Sequence, residues 1–322
     1  MSDSFDVLVI GGGAAGLAAA LILGRSRRSV LVVDAGEPRN APADGVHNYL
    51  GREGAGPREL TRIGREEVAQ YGVRSTAGRI VAASATPLTA SDPVGFTATL
   101  DTGETVTARR VVVASGAVDV LPDVPGLAEQ WGRGVVHCPF CHGWEVRDSH
   151  IGVLVTTPFG AHQALMWRAL SEHVTVFVTD PALADDAARA GLAARGITVV
   201  DDSVVQVLAT DGALTGVALA SGSTVELDAL AAASTAEARV DGLEGLALVA
   251  VDQFIGDFRF GSAVSAGPTG ATDVPGVWAV GNVASPMATV IVSAAAGTTA
   301  GAAVHGDLIQ ADLAAALSTV RG

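Results

Sequence analysis

A glycine-rich turn near the start of the chain constrains the fold more than any other feature of the sequence. Residues 5–10 form a continuous apolar run of strand length, and residues 17–24 are typical of a helix. Between these two segments, Gly11, Gly13 and Gly16 follow the spacing G-x-G-x-x-G. In such a unit the first glycine permits a tight turn, the second lets the backbone approach a pyrophosphate, and the third allows the helix to pack closely on the strand.

An acidic residue stands where a dinucleotide-binding unit requires one. Residues 29–33 predict a second buried strand that ends at Asp34, whose carboxylate is placed to bind ribose hydroxyls. The N-terminus of the intervening helix offers free N–H groups and the positive end of its dipole to phosphates. Because strand, helix, second strand and acid occur in register, we expect dinucleotide binding. The alternative is a glycine-rich turn without a ligand.

The composition indicates a layered α/β protein of about two domains. The 322 residues are 49% hydrophobic but only 4% aromatic, and small residues let helices lie close to strands. A net charge of −14 argues against nucleic acid or an anionic membrane as a partner. No basic region precedes the first apolar run, and glycines interrupt that run. We therefore expect a cytoplasmic protein without a signal peptide or a transmembrane helix.

The only two cysteines, Cys138 and Cys141, are separated by two residues. Such a pair can close a small disulfide ring and reopen as a dithiol, and a C-x-x-C setting commonly lowers the pKa of one thiol. His142 follows directly, and an imidazole titrates near neutrality. A zinc site normally needs four ligands and finds no second cysteine pair here, and a structural staple across so short a loop closes little entropy. We therefore expect a redox centre without a metal.

A second α/β unit is predicted after residues 121–126, a proline-containing linker that we interpret as a domain boundary. Strands are expected at residues 150–155 and 174–178, with a helix between them. Before the linker, residues 105–114 predict two short strands. Near the end of the sequence, residues 290–310 predict a long helix of small residues.

The whole arrangement resembles the low-molecular-weight thioredoxin reductase family over essentially the entire chain. The resemblance rests on the glycine-rich turn, the loop at residues 48–51, the segment at residues 114–116, the C-x-x-C pair and residues 274–282. The last of these segments is similar to the second FAD motif of the family. Asn282 departs from it, because the family usually has an aspartate there; an asparagine can still form a hydrogen bond to a ribityl hydroxyl.

The resemblance implies an α/β fold of two Rossmann-like, three-layer ββα domains. We expect a discontinuous FAD-binding domain at residues 1–117 and 247–322. An inserted, degenerate NADPH-type domain at residues 118–246 would carry the C-x-x-C centre. FAD as cofactor and a homodimer are implied as well. The residues that the resemblance assigns to FAD are Gly11, Gly13, Ala14, Ala15, Gly16, Asp34, Ala35, His47, Asn48, Ile80, Val81, Ala114, Ser115, Gly116, Gly281, Asn282, Thr289 and Val290.

The inserted domain departs from the family at both places where NADPH would bind. Residues 156–161 stand where the family has its second glycine-rich turn, and Pro158 removes one N–H donor. Residues 179–181 replace a His-Arg-Arg stretch, and Asp180 would repel a 2′-phosphate. We therefore predict that this domain is kept for its shape and that NADPH is not bound. The alternative is an unusual loop that still binds NADPH.

Residues 138–145, with the sequence Cys-Pro-Phe-Cys-His-Gly-Trp-Glu, are similar to the motif of the gliotoxin and holomycin dithiol oxidases. Those enzymes form the disulfide of small sulfur-containing natural products with FAD and oxygen, without NADPH. The resemblance predicts an oxidase of a small-molecule dithiol in which Cys138 is the outer sulfur, Cys141 faces the flavin and His142 is the acid/base. Oxygen would be the electron acceptor.

Several alternatives remain open at the level of the sequence. Glu145 either orients His142 or is a solvated carboxylate, and His137 is either structural or catalytic. The chain could run the same centre in the opposite direction, as an NADPH-dependent reductase of a thioredoxin-like protein. It could also be a non-catalytic flavin redox sensor. Fold alone does not identify the substrate.

Overall fold

The computed structural model describes residues 3–87, 92 and 94–321. Within them, the glycine-rich turn follows an inner strand of a seven-stranded sheet. The first part of the chain contains β1 (Asp3–Ile10), α1 (Ala14–Arg25), β2 (Val30–Asp34), α2 (Pro57–Ala69), β3 (Arg74–Ala77), β4 (Ile80–Ala85), β5 (Phe96–Leu100), β6 (Thr105–Val113) and β7 (Ala117–Val120).

The remaining elements follow in two groups. The middle of the chain contains α3 (Leu127–Gln130), β8 (Val135–Val136), α4 (Pro139–His142), β9 (Ile151–Val155), α5 (Gly160–Trp167), β10 (Val174–Val178), α6 (Asp186–Ala194), β11 (Thr198–Val200), β12 (Val204–Thr210), β13 (Ala213–Leu219), β14 (Thr224–Glu226), β15 (Ala229–Ala232) and β16 (Thr235–Ala238). The last part contains β17 (Ala250–Ile255), β18 (Phe258–Val264), β19 (Val277–Ala279) and α7 (Val290–Arg321), with short 3₁₀ turns at Pro181–Leu183, Glu244–Leu246 and Gly281–Val283.

The large sheet is buried on both faces. Its strand order is β3-β2-β1-β6-β5-β4, with β19 paired to β6, and β1 runs parallel to both β2 and β6. Side chains alternate along a strand, so Val7 and Val9 of β1 pack against α1 and α7, whereas Leu8 and Ile10 pack in the cluster on the opposite face. Burial of both faces explains why β1 reads as a continuous apolar run rather than an alternating one.

A small sheet covers the face of the large sheet that the helices leave free. Its strand order is β17-β18-β16-β7. Val264 of β18, together with Leu243, Leu246 and Leu248, belongs to the apolar cluster on that face. Helix, large sheet and small sheet thus form the three ββα layers expected from the sequence.

The middle of the chain repeats the same layering on a smaller scale. Its parallel sheet has the order β11-β10-β9-β15-β8, and every residue of β9 is buried. Trp167 of α5 and Leu192 of α6 pack on one face of this sheet. Val207 and Val217 of the antiparallel sheet β12-β13-β14 pack on the other. The expected α/β fold of two Rossmann-like units is therefore confirmed.

Two adjacent strands connect the two units. The chain passes into the inserted unit after β7 and returns through β16, and these strands pair antiparallel, with Val120 opposite Thr235. The precise residues at which the predicted domains begin and end, 117/118 and 246/247, stay a prediction.

One strand is longer than the sequence pattern indicates. The two strands predicted within residues 105–114 are a single strand, β6, because the charge that interrupts the apolar pattern is neutralised inside the fold. Arg110 is only 3% exposed. Its Nη1 lies 3.2 Å from Asp92 Oδ1, and its Nε pairs with Asp307 of α7. A buried arginine is tolerated in a strand when its charge has partners of this kind.

The last helix also extends further than predicted, to residue 321 instead of 310. Asp312 anchors the additional turns, because it lies 2.7 Å from both Arg28 and Arg109. Among the residues that the structure describes, no helix has the length and apolarity needed to cross a bilayer.

Glycines let α7 approach α1 closely. A Cβ added at Gly297 would lie 2.0 Å from the carbonyl oxygen of Ala15, and one added at Gly301 would lie 2.8 Å from that of Ala19. Both separations are shorter than any van der Waals contact. The packing of α7 on the first turn of α1, next to the glycine-rich turn, therefore depends on the absence of side chains at these positions.

We expect Gly297→Ala to lower the free energy of unfolding by about 1–3 kcal/mol, the usual effect of forcing an extra methyl group into a packed contact. Gly306→Ala is the matched control, because the added Cβ would meet no atom within 4 Å. It should raise stability by roughly 0.5–1 kcal/mol, since alanine is the better helix former. Urea denaturation measures both. Equal effects of the two substitutions would contradict the close packing of α1 and α7.

Candidate active site

A cavity of about 980 Å³ joins the glycine-rich turn of the large unit to the cysteine pair of the inserted unit. This volume is near the upper end of the range for ligand-binding pockets. Every residue that the resemblance assigns to FAD lines the cavity, except Gly16. Cys138, Cys141 and His142 line it as well. Residues that are far apart in the sequence therefore share one space, as a flavin next to a redox disulfide would require.

The three predicted glycines have different surroundings. Gly11 has a φ of +104°, and a Cβ there would lie 2.3 Å from the carbonyl oxygen of Ala114. A Cβ at Gly16 would lie 1.9 Å from the carbonyl oxygen of Gly11, so Gly16 serves the helix–turn contact behind the cavity wall. Around Gly13, by contrast, no atom lies within 4 Å of an added Cβ. Its backbone faces open space in the cavity, where a pyrophosphate could approach it.

The start of α1 is suited to an anionic ligand. No side chain caps this helix, and its first turn contains no acidic residue. Its first N–H groups are therefore available to phosphate oxygens. Asp34 lies next to them, where Oδ1 accepts a hydrogen bond from the Gly12 amide at 3.0 Å. That bond orients the carboxylate at the cavity wall. These features fit the diphosphate and a ribose of FAD.

Asn282 organises the loop before α7. Its Nδ2 donates to the carbonyl oxygens of Ser285 at 3.1 Å, Pro286 at 3.3 Å and Ala288 at 2.9 Å. An aspartate could not donate these bonds, which gives a structural reason for the departure from the family. The side-chain nitrogen of Asn282 is thus bonded to the protein loop. A role of Asn282 toward the flavin stays a prediction.

The two cysteines differ in their surroundings. Both thiols are free and half-buried, Cys138 immediately before α4 and Cys141 within it. The Cys141 S–H group donates to the Cys138 sulfur and lowers the pKa of Cys138 to about 6, against the opposing effect of burial. The amides of Phe140 and Cys141 at the helix N-terminus lower it further, although neither makes a full capping bond. The same hydrogen bond, together with burial, raises the pKa of Cys141.

Two residues that the sequence analysis missed, Arg39 and Asp119, form an ion pair in the wall of the cavity. Arg39 forms two hydrogen bonds with Asp119, at 2.9 and 2.6 Å, and a third at 2.7 Å with the carbonyl oxygen of Pro286. Burial alone would raise the pKa of Asp119, but the hydrogen bonds from Arg39 outweigh it and the pKa is lowered. Arg39 also lowers the pKa of Cys141 by its charge, although the donated hydrogen bond outweighs this effect. No motif marks either residue, because they lie 80 positions apart.

Asn48 connects the two units directly above the cavity. Its side-chain Nδ2 donates to the carbonyl oxygen of Phe140 at 2.6 Å. The backbone of Asn48 has a φ of +60°, a left-handed conformation that asparagine tolerates better than most residues. Phe140, one of the two residues between the cysteines, is thus bonded to a loop that also lines the cavity.

His142 is half-buried, and its surroundings favour the neutral form of the imidazole. Both ring nitrogens are buried, and within the described part of the chain neither has a hydrogen-bond partner. Burial lowers the pKa of His142, and the charges of His47 and His137 lower it further, against an opposite effect of Glu145 and Asp44. The residue lines the cavity, and its role as a base toward a substrate thiol stays a prediction.

The other residues around His142 take different positions from those considered in the sequence analysis. Glu145 lies 3.4 Å from His47 Nε2, and its side chain is 42% exposed. The His137 ring lies 3.2 Å from the carbonyl oxygen of Ala232, a contact that favours a structural role for this histidine. Glu145 therefore influences His142 by its charge and forms its direct contact with His47.

The loop at residues 156–161 contacts the large unit. The ring of Phe159 packs edge-on against that of Phe258 in β18, with centroids 6.1 Å apart and an interplanar angle of 80°. Thr157 Oγ1 accepts a hydrogen bond from the Phe159 amide. Further along, Asp180 caps the following 3₁₀ turn through the Ala182 amide at 2.9 Å. The segment that would bind a nucleotide pyrophosphate is thus part of a contact between the units.

Comparison with known proteins agrees with this geometry. The family model described as pyridine nucleotide-disulphide oxidoreductase matches residues 5–299. The chain belongs to this family. Membership implies a flavin cofactor and makes the protein an oxidoreductase.

Individual relatives and one solved structure make the family assignment more specific. The chain is 31% identical over 326 residues to thioredoxin reductase sirT of Leptosphaeria maculans, an alignment that covers 97% of this chain and 96% of sirT. It is 38% identical to thioredoxin reductase tcpT of Claviceps purpurea, but that match spans about half of each protein, 55% of this chain and 56% of tcpT. The crystal structure of HlmI superposes with a TM-score of 0.88 at 38% identity and covers 99% of this chain and 96% of HlmI. These matches confirm the predicted resemblance to thioredoxin reductase-like flavoproteins of the gliotoxin and holomycin type.

Replacing Cys141 by alanine should raise the pKa of Cys138 from about 6 toward the usual range of a thiol, because the thiolate loses the donated hydrogen bond. The pH dependence of iodoacetamide alkylation of the reduced protein measures this shift. Phe140→Ala is the matched control, since it keeps the backbone amide and should leave the pKa of Cys138 near 6. An unchanged pKa in Cys141→Ala would assign the shift to the helix N-terminus instead.

Proposed function

We propose that the protein is an FAD-dependent oxidase that forms a disulfide in a small-molecule dithiol, with oxygen as the electron acceptor. The observation that carries this proposal is the shared cavity. It brings the glycine-rich turn, the low-pKa thiol of Cys138 and the neutral ring of His142 together. The similarity to HlmI and sirT supports the same family of reactions. We further propose a homodimer in the cytoplasm, with the domain boundaries given above.

The cavity residues would hold FAD in a defined orientation. Gly13 and the start of α1 would bind the diphosphate, and Asp34 would bind a ribose. Bound FAD would supply the redox chemistry, as acceptor of two electrons from the reduced cysteine pair and donor to oxygen. The protein supplies position and the electrostatic field around the reacting sulfurs.

The thiol–disulfide steps follow from the difference between the two cysteines. A substrate thiolate, formed when His142 accepts its proton, attacks the Cys138 sulfur of the oxidised pair and expels Cys141. Burial raises the pKa of Cys141 and so favours its protonation after it is expelled. The second substrate thiol then attacks the substrate sulfur of this mixed disulfide and expels Cys138. A low pKa makes Cys138 a good leaving group in this step.

The loop at residues 156–161 supports the proposal that NADPH is not bound. A nucleotide would have to approach a backbone that contains Pro158 and whose Phe159 packs against the large unit. Asp180, placed where a 2′-phosphate would need a cation, caps a turn instead. Both features remove a binding element for NADPH, and neither affects the cysteine site.

We expect the flavin-containing protein to consume oxygen when supplied with a small dithiol, and to stay oxidised when mixed with NADPH without oxygen. Cys138→Ser and Cys141→Ser should each reduce oxygen uptake to background while retaining the flavin, because a full exchange cycle needs both sulfurs. An oxygen electrode and anaerobic stopped-flow absorbance at the flavin band provide the measurements. Rapid bleaching by NADPH would favour a reductase of a thioredoxin-like protein, and no turnover with any dithiol would favour a redox sensor.

His142→Ala should slow dithiol oxidation by about 100–10,000-fold near neutral pH, the usual contribution of a general base. The pKa of His142 is lowered, so the ring is neutral and active as a base there. Raising the pH ionises the substrate thiol without help, so the ratio of mutant to wild-type rate should rise between about pH 6 and 9. Rate profiles across this range test the expectation. A constant ratio would remove His142 from the mechanism.

A further inference from the structure

Two large apolar side chains of the cavity wall are exposed close to the redox cysteines. Phe140, which lies between Cys138 and Cys141, is 75% exposed, and Met287, in the loop before α7, is 63% exposed. Both line the cavity that contains the two cysteines. Phe140 belongs to the inserted unit and Met287 to the large unit. Exposed apolar side chains in a concave site commonly mark a place where a ligand is bound.

Hydrogen bonds to the backbone hold both side chains in position. The carbonyl oxygen of Phe140 accepts a bond of 2.6 Å from the side chain of Asn48. Asn282 Nδ2 donates to the carbonyl oxygens of the residues on either side of Met287, at 3.3 and 2.9 Å. A ligand at the cysteines would therefore meet two apolar groups whose backbone is already ordered.

The positively charged side chains of the cavity have hydrogen-bond partners. The sequence contains no lysine, and the arginines that line the cavity are Arg39, Arg79 and Arg239. All three side-chain nitrogens of Arg39 donate hydrogen bonds, two of them to Asp119. Arg79 donates to the carboxylate of Glu37, and Arg239 donates to the carbonyl oxygen of the same residue. Proteins commonly recognise a carboxylate with an arginine whose N–H groups are free to form a bidentate pair. The wall formed by the described residues thus favours an uncharged substrate.

Resting on the proposed function, we propose that the substrate is an uncharged dithiol with an apolar body, and that Phe140 and Met287 select it. The two side chains contact the body while the substrate sulfurs meet the cysteines. The gain in binding grows with the apolar area that the contact removes from water. Hydroxyl groups on the body would lose water at this contact without a new hydrogen-bond partner, so a polar dithiol is disfavoured.

Asn282 is the positioning residue for Met287 in this arrangement. Its amide nitrogen donates to three carbonyl oxygens of the loop, including those on either side of Met287. The aspartate usual in the family would place a carboxylate oxygen against these carbonyl oxygens, and the loop would have to move. The departure from the family pattern at residue 282 therefore acts on the side chain that contacts the substrate.

The test compares butane-1,4-dithiol with dithiothreitol, which has the same carbon chain and carries additional hydroxyl groups. Oxygen uptake by the flavin-containing protein gives kcat/KM for each compound. In Phe140→Ser, the ratio of kcat/KM for butane-1,4-dithiol to that for dithiothreitol should fall about tenfold below the wild-type ratio, the lower end of what one hydrophobic contact adds to discrimination. The intrinsic reactivities of the two dithiols cancel, because both proteins are compared with the same pair. The loss should lie in KM rather than in kcat, as expected for a contact made equally before and during the reaction.

Matched variants separate substrate contact from a general effect. Phe254→Ser is the control, because Phe254 is 56% exposed but does not line the cavity, and its ratio should equal that of the wild type. Phe140→Leu keeps an apolar side chain and should retain most of the wild-type ratio. Met287→Gln and Asn282→Asp should each lower the ratio while the flavin is retained. Dihydrolipoate should react no faster than dihydrolipoamide, in which an amide replaces the carboxylate.

Equal ratios in the wild type, Phe140→Ser and Phe254→Ser would overturn the selection by Phe140 and leave the dithiol oxidase proposal intact. A preference for dihydrolipoate would overturn the uncharged substrate class. Faster oxidation of reduced thioredoxin than of butane-1,4-dithiol would assign Phe140 to a protein contact, and a lower mass of Phe140→Ser in light scattering would assign it to a contact between copies of the chain. Either result would overturn the inference.

Two further results concern the cofactor and the reaction itself. Flavin content and thermal midpoint are compared before the kinetics. Loss of flavin in Met287→Gln would make Met287 a cofactor contact and remove it from the proposal, which Phe140→Ser then decides. Absence of oxygen uptake by the wild type with either dithiol would instead overturn the proposed function, and the selection of the substrate with it.

Discussion

Hydrogen bonds of Arg39 and Asn48 order the wall of the cavity, and the bond from Asn48 joins that wall to the cysteine segment. The redox cysteines belong to the inserted unit and the glycine-rich turn to the large unit, so the chemistry requires a fixed distance between them. Arg39 and Asp119 are 23% and 11% exposed, and their charge-assisted pair forms two short hydrogen bonds. Removing one partner of such a pair leaves a poorly solvated charge, at a cost on the order of 3–5 kcal/mol. The pair therefore favours the arrangement in which Arg39, β7 and the carbonyl oxygen of Pro286 meet at the wall of the cavity.

The two cysteines of the site have different environments, and so do its histidines. Cys138 and Cys141 are both half-buried thiols, yet one donates its proton to the other and their pKa values move in opposite directions. The histidines differ in the same way. His142 is buried without a hydrogen-bond partner in the described chain, whereas His47 lies between two carboxylates. Burial favours the neutral form of His142, whereas His47 forms direct contacts with Glu53 and Glu145, so two imidazoles near each other have different surroundings.

The inserted unit combines a layered nucleotide-binding architecture with an altered loop at residues 156–161. Its parallel sheet and helices keep the layered arrangement of a nucleotide-binding domain. The loop that would approach a pyrophosphate instead presents Phe159 to Phe258 of the large unit. Fold and chemistry are thus separable, and the function has to be argued from the residues in the cavity rather than from the architecture.

The sequence by itself determined the features that depend on neighbours along the chain. The strand before Gly11, the turn, the helix and Asp34 were predictable, because periodicity and glycine spacing are local properties. So was the redox pair, since two cysteines with two residues between them can react with each other whatever the surrounding fold.

Only the tertiary structure decided which distant residues meet. Asn48 and Phe140 are 92 positions apart, and Arg110 pairs with Asp307 across 197 positions, which is why β6 continues where the apolar pattern is interrupted. The contact of Glu145 with His47, instead of a bond to His142, belongs to the same class. The physical reason is that a hydrogen bond or an ion pair between remote segments has no periodicity along the chain. Its partners become identifiable only when the packing of the sheets and helices brings them within a few ångströms of each other.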